Sequence, residues 1–414
     1  MKWIYRIGIF LARILLLLGG LFIPKIKHFS SGRKNLFQRL TDFRSENVGS
    51  LAWFHVASLG EYEQARPVIA ELKRVRPDQL IAVSFFSPSG YDNAIKKDQL
   101  NVDFITYLPL DSKTLAKKFV KNLKPDVAFF VKYDLWYHHI EAIKSREIPM
   151  FLFSAAFRPD QIYFKRNGFF RKILFQFDYI FTQNQSTLEL LKSIDYQDAS
   201  LTGDTRFDRV SETAKNFKEF PELAKWIGAR QAIVAGSVWQ EDMDLLIPLM
   251  NANPEYRWIV APHDLNPEPM NRWSAQLSLS ATRYSQWDSD LSPEVIFIDN
   301  IGMLSSLYQF AKVAYVGGAF GKGLHNILEP LGFGIPVIFG KVKKAAKFPE
   351  GGESEKYGCG FEVSDEESLK SVFAKLEQPE FYQQSADSAK KWVQMNSGAA
   401  EKIIAKVEDL ITKA

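Results

Sequence analysis

Residues 313–340, VAYVGGAFGKGLHNILEPLGFGIPVIFG, set a glycine-rich loop, a histidine, an asparagine and a glutamate between two short apolar runs. The first run ends in Gly317 and Gly318, which suits a buried parallel strand meeting a loop where backbone comes close to a ligand. Gly323 and His325 continue that loop, Asn326 reads as an N-cap, and Glu329 follows three residues later as in a capping box. The spacing predicts a helix from about Ile327, whose unpaired amides and positive dipole end suit a phosphate, with Glu329 placed to accept from ribose hydroxyls. Gly332 and Gly334 end that helix early, and PVIF is the next strand. The glycines fit neither the dinucleotide pattern G-x-G-x-x-G nor the P-loop. Taken alone, they also fit a structural loop between strand and helix.

A second chemical stretch is HVASLGEYEQARPVI at residues 55–69. The strand is expected to stop at Ala57, Ser58 to Gly60 to turn, and Glu61 to enter the first turn of a helix. There the dipole favours an ionised carboxylate, as a general base requires. The residues alone leave open whether Glu61 is a base or only a dipole contact; Glu63 reads as a solvated face residue. AGSVWQED at residues 235–242 offers Gly236 and Ser237 as a small turn for a phosphate. Asp242 and Asp244 form a superficial D-x-D, read as first-turn acids and not as cation ligands. His263, in APHDL, leaves another strand end; His28, His138 and His139 have no comparable context.

These groups sit on an alternation of short β-rich runs and helix-like stretches. Six runs, at residues 51–57, 80–86, 104–109, 126–131, 150–155 and 179–183, predict one doubly wound parallel sheet. After a charged stretch at 211–230 the pattern restarts at 232–237, 257–262, 294–299, 313–318 and 336–340. The expected organisation is an α/β chain of two Rossmann-like domains, at 25–210 and 231–380, facing a cleft. A linker at 211–230 joins them, and helices follow at 381–414.

The chain has 414 residues with 46% hydrophobic and 14% aromatic content, which excludes a disordered protein. Its net charge of +4 is too small to argue for nucleic acid, and its single cysteine excludes an intramolecular disulfide. Residues 1–24 read as a membrane-anchor helix that either spans or lies in the interface, since Lys2, Arg6 and Arg13 fall along one side. Lys25, Lys27, Arg33, Lys34 and Arg39 follow it. That basic cluster places the remainder on the cytoplasmic side, at an anionic surface.

The order of these motifs resembles the bacterial 3-deoxy-D-manno-octulosonic acid (Kdo) transferases, glycosyltransferases of the GT-B fold. The family pattern H-x-x-S-x-G-E is matched by His55, Ser58, Gly60 and Glu61, and H-N-x-L-E-P by residues 325–330, with Leu324 where the family has glycine. KYDLWYHH is similar to E-T-E-L-W-P-N, with Lys132 in place of the first glutamate and Asp134 as the retained carboxylate. Ala156 stands where the family has arginine, leaving Arg158 to supply the charge, and Arg206 replaces a lysine in T-G-N-x-K-F-D. The resemblance implies an inverting transfer, without metal or other cofactor, of Kdo from CMP-Kdo to the lipid A precursor. Glu61 would be the base, and His55, Ser58, Gly60, Asp134, Arg158 and Arg206 would lie on the acceptor side. Gly236, Ser237, His263, Gly317, Gly318, Gly323, His325, Asn326 and Glu329 would hold the donor. It also implies that the C-terminal helices cross back to the first domain. The rival readings are a GT-B enzyme using a UDP-sugar and an inactive membrane protein that only binds glycolipid.

Overall fold

The computed structural model describes residues 2–96, 101–165, 168–321, 323–343 and 347–413. The chain divides into two compact units, one of residues 1–209 with 398–414 and one of residues 210–397.

The first unit is built on seven parallel strands: β1 Leu51–Val56, β2 Leu80–Phe85, β3 Phe104–Tyr107, β4 Val127–Val131, β5 Met150–Ala155, β6 Tyr179–Thr182 and β7 Ala199–Leu201. Their order is β3-β2-β1-β4-β5-β6-β7. LAWFHV of β1 and VAFFV of β4 are buried at every residue, as continuous apolar runs must be when helices cover both sheet faces. Phe54 and Phe129 stack across these strands with centroids 4.5 Å apart, a geometry worth about 0.5–1.5 kcal/mol beyond area burial.

The second unit repeats the design with β8 Ala232–Val238, β9 Arg257–Pro262, β10 Ala281–Arg283, β11 Val295–Phe297, β12 Ala311–Val316, β13 Val337–Gly340 and β14 Gly360–Val363. The order is β10-β11-β9-β8-β12-β13-β14, again all parallel. The winding reverses between β1 and β4 in the first unit and between β8 and β12 in the second, where β11 is also inserted between β9 and β10. A crevice at the carboxyl ends of the strands is expected at such a switch point.

The helix Lys2–Phe22 has no buried residue and is long and apolar enough to cross a membrane. Residues 211–230, expected to link domains, carry the end of the helix Thr205–Lys215 and a helix Pro221–Ile227 that buries Leu223 and Trp226. Of the C-terminal helices, Pro379–Asn396 lies in the second unit and Ala399–Lys413 in the first. There Asp208 accepts from the amides of Gly398, Ala399 and Ala400 at 2.5, 3.1 and 3.2 Å. Arg76 pairs with Glu408 at 2.7 Å.

Candidate active site

At the switch point of the first unit, β1 ends at Val56 and the helix Leu59–Val75 begins two residues after Ala57, with Ser58 extended at its N-cap. Glu61 is the third helical residue. The Ser58 hydroxyl donates to Glu61 Oε2 in a short hydrogen bond, and Lys132 Nζ lies 3.8 Å from Glu61 Oε1. Lys132 comes from the neighbouring strand end, after β4, where its φ of 61° is left-handed. Such a conformation costs a non-glycine residue on the order of 1 kcal/mol, and here it accompanies a lysine directed at the carboxylate. A cation beside the Glu61 carboxylate, where the family pattern has glutamate, adds a positive charge to that of the helix dipole.

His55 is fully buried and does not itself line the surface. Trp53 Nε1 donates to Ser84 Oγ at 2.8 Å, and that hydroxyl lies 2.9 Å from His55 Nδ1. The Ser84 carbonyl oxygen lies 3.1 Å from the same nitrogen, and on the other side of the ring His55 Nε2 donates to Asp134 Oδ2 at 2.9 Å, since an ionised carboxylate only accepts. Trp136 Nε1 donates to the same oxygen at 2.9 Å. His55 therefore positions Asp134, which is a quarter exposed. The signal for Ser84 and Trp53 was absent from any motif, because both act from inside the sheet.

Gly60 has open space: an added Cβ would meet nothing nearer than Ser58 Oγ at 3.8 Å. Gly90, which no motif singled out, is the opposite case. A Cβ there would sit 3.0 Å from the Leu59 nitrogen and 3.1 Å from the Ser58 carbonyl carbon, so its bare backbone supports the turn that carries Glu61. Each arginine expected on the acceptor side has an aspartate beside it. Arg158 is exposed beside Asp160 at 3.6 Å, and Arg206 Nε donates to Asp204 at 2.8 Å. Glu63, expected to be a solvated face residue, pairs with Arg209 at 2.9 Å.

In the second unit the ends of β8 and β12 meet. The Gly317 amide donates to the Gly236 carbonyl at 2.9 Å, and the Gly318 amide to Asp242 Oδ2 at 3.0 Å. Both amides, expected where backbone comes close to a ligand, are therefore engaged within the protein. Asp242 is buried and also accepts from the Trp239 amide at 2.8 Å and the Tyr315 hydroxyl at 2.9 Å. Burial raises its carboxyl above the usual range, although these three donors favour the charged form. Asp244 instead accepts from Gln240 Nε2 at 2.7 Å, so the D-x-D carboxylates have separate partners. The bare backbone of Gly317 is required by packing, since a Cβ would fall 2.5 Å from Asp242 Oδ2 and 2.7 Å from the Ser237 carbonyl. Ser237 itself is left-handed, with φ 54°.

Three rings stack beside this loop: Trp239 on His263 and His263 on His325, each with centroids 4.5 Å apart. Trp239 Nε1 donates to His325 Nε2 at 3.3 Å, so the His325 hydrogen is on Nδ1. Burial, with His263 adding to it, lowers the His325 pKa to about 4, and the ring is neutral near pH 7. Trp239, passed over in the sequence, completes the stack. The short helix Leu328–Gly332 has Ile327 and not Asn326 at its N-cap; Asn326, one residue earlier, accepts the Leu328 amide on Oδ1 at 3.2 Å. The Asn326 amide donates to Glu329 Oε1 at 3.2 Å, a side-chain link in place of the backbone bond of a capping box. Gly323 is left-handed at φ 127° against the Phe348 ring.

Residues 34–209 match the family model described as 3-deoxy-D-manno-octulosonic-acid transferase (kdotransferase). A protein of that name from Rickettsia felis is 28% identical over 70% of this chain, and the match spans 64% of the relative, less than two thirds of its length. Another, from Aquifex aeolicus, is 28% identical over 80% of this chain and 87% of its own. Among solved structures, a UDP-N-acetylglucosamine 2-epimerase superimposes with a TM-score of 0.63 at 14% identity, covering 88% of this chain and 96% of its own. That likeness shows the fold, a GT-B-type pair of Rossmann-like units. On the matched sequence and the motifs at the strand ends, the chain is similar to the 3-deoxy-D-manno-octulosonic-acid transferases, whose family model its residues 34–209 match.

Proposed function

We propose that this protein transfers Kdo from CMP-Kdo to the lipid A precursor, by an inverting reaction that needs no metal. The observation that carries the reading is Glu61, held in a first helical turn at the switch point between β1 and β4, with the Ser58 hydroxyl and the Lys132 ammonium at its two oxygens. A carboxylate so placed is an acceptor for the proton of a sugar hydroxyl. Attack by that hydroxyl oxygen on the anomeric carbon forms the new glycosidic bond as the bond to the CMP phosphate breaks, and CMP departs with the electron pair. Asp134, fixed by His55 and Trp136, orients the acceptor through its remaining oxygen.

In the second unit the Asn326–Glu329 start and the Trp239–His263–His325 stack receive the nucleotide. A neutral His325 presents Nδ1–H as a donor to phosphate or base without adding charge. The helix Lys2–Phe22, with the exposed Lys25 and Lys27 after it, holds the protein at the cytoplasmic face of the inner membrane, where the acceptor is presented.

The test is incubation with CMP-Kdo and tetra-acylated lipid A precursor in detergent micelles, read by mass spectrometry. A mass gain of one or more Kdo units supports the reading. Stabilisation by UDP-sugars but not by CMP-Kdo in thermal melts would replace it with a different GT-B reaction.

A further inference from the structure

Tyr5, in the first turns of the helix Lys2–Phe22, donates its hydroxyl to Asp111 in a short hydrogen bond. Asp111 is fully buried in the first unit and also accepts from the amides of His138 and His139, both at 3.0 Å, and from His139 Nδ1 at 2.7 Å. The Tyr5 ring packs edge-on against Tyr137 and beside Phe169, each with centroids 5.7 Å away. The residue-5 end of the helix is thus seated in the same unit that carries Glu61.

The other end returns to that unit as well. Beyond Phe22 the helix Pro24–Ser31 folds back, with Ile26 against Gly19. Arg33 then donates to the carbonyls of Leu108, Phe29 and Phe86 at 2.9, 2.8 and 2.6 Å. A helix of 21 residues is about 31 Å long, enough to cross a hydrocarbon core of about 30 Å, but the segment Pro24–Ser31 measures only about 12 Å and cannot cross again. With both ends docked on one unit, neither can reach the far side of a bilayer.

The helix surface agrees. Tyr5, Ile9, Ala12, Leu16 and Gly19 form a half-buried stripe, whereas Ile7, Leu11, Leu15, Leu18 and Phe22 lie exposed along the other side at spacings of three and four. Residues 2–22 include Lys2, Arg6 and Arg13 and no acid, and Lys25 and Lys27 follow. A bare apolar face with only positive charge beside it fits the interface of an anionic phospholipid leaflet.

We propose that residues 2–31 are a docked hairpin lying in one leaflet, with both ends on the side of the catalytic units, and not a membrane-spanning anchor. The inference rests on the membrane association given under the proposed function. Lys2→Cys and Lys25→Cys, both at exposed positions, are to be treated with a membrane-impermeant maleimide in intact spheroplasts and in inverted inner-membrane vesicles; the buried Cys359 sets the background. Both variants should remain unlabelled in spheroplasts and react in inverted vesicles. Labelling of either position in intact spheroplasts would overturn the hairpin while leaving membrane association standing. Recovery of both variants and the parent in the soluble fraction would remove the membrane association itself.

Discussion

Asp242 Oδ2 accepts the Gly318 amide at 3.0 Å across 76 residues of sequence, tying the first turn of the helix Gln240–Ala252 to the glycine loop after β12. One buried carboxylate thereby fixes the shape of both strand ends at the second switch point. Asp242→Ala would leave the Gly318 and Trp239 amides and the Tyr315 hydroxyl buried without an acceptor. At about 1–3 kcal/mol for each unsatisfied group, the variant should lose about 3 kcal/mol or more. Urea unfolding followed by tryptophan fluorescence should show it, with Asp244→Ala, at an exposed position, within about 0.5 kcal/mol of the parent.

Glu61→Gln keeps the size and polarity of the side chain and removes the carboxylate proposed as the base. Turnover should fall on the order of 10²–10⁴-fold, the usual contribution of general base catalysis, with the thermal midpoint and its rise on adding CMP-Kdo retained. Turnover within a few fold of the parent would take Glu61 out of the proton transfer.

Gly90→Ala should act on the same centre from behind. The new methyl group would press on the Phe85 ring at 2.9 Å and on the backbone of Ser58 and Leu59, which cannot yield without moving Glu61. A loss of about 1–3 kcal/mol is expected, with a lower kcat. Gly352→Ala, with no atom within 4 Å of the added group and inside the helix Pro349–Lys356, is the control and should leave kcat unchanged and stability unchanged or up to about 1 kcal/mol higher.

His325 makes the stability of the second unit depend on pH. The ordinary imidazole takes up a proton near pH 6.5 and the folded one only near pH 4. Between those values the unfolded chain binds more protons, so stability should fall as the pH drops from about 6.5 towards 4. His139, lowered by burial in the first unit, contributes in the same direction. Melting midpoints measured across this range should therefore fall less steeply in His325→Gln, without becoming flat.

Eleven of the fourteen strands were readable as apolar runs because parallel strands covered on both faces cannot afford polar interruptions. The three that were not, Ala199–Leu201, Ala281–Arg283 and Gly360–Val363, all lie at sheet edges. They are three or four residues long and carry half-exposed positions, so no periodicity marks them. Glu61, Asp134, His325 and Asn326 were legible because a strand end, a turn residue and a polar group in sequence make a recognisable unit. Ser84, Gly90 and Trp239 were not, since each acts on a residue distant in sequence. The engagement of the Gly317 and Gly318 amides was likewise hidden, because it depends on Asp242 and Gly236 from another strand end.

The seating of Ala399–Lys413 in the first unit has a consequence for how the chain acquires its structure during synthesis. Ile403, Ile404 and Val407 complete an apolar layer begun some 330 residues earlier on the helix Leu59–Val75. On the ribosome, the amino-terminal unit must therefore wait with that layer uncovered while residues 210–397 emerge. A fragment ending at residue 209 would keep the wound sheet but expose the same apolar strip, and would be a substrate for chaperones.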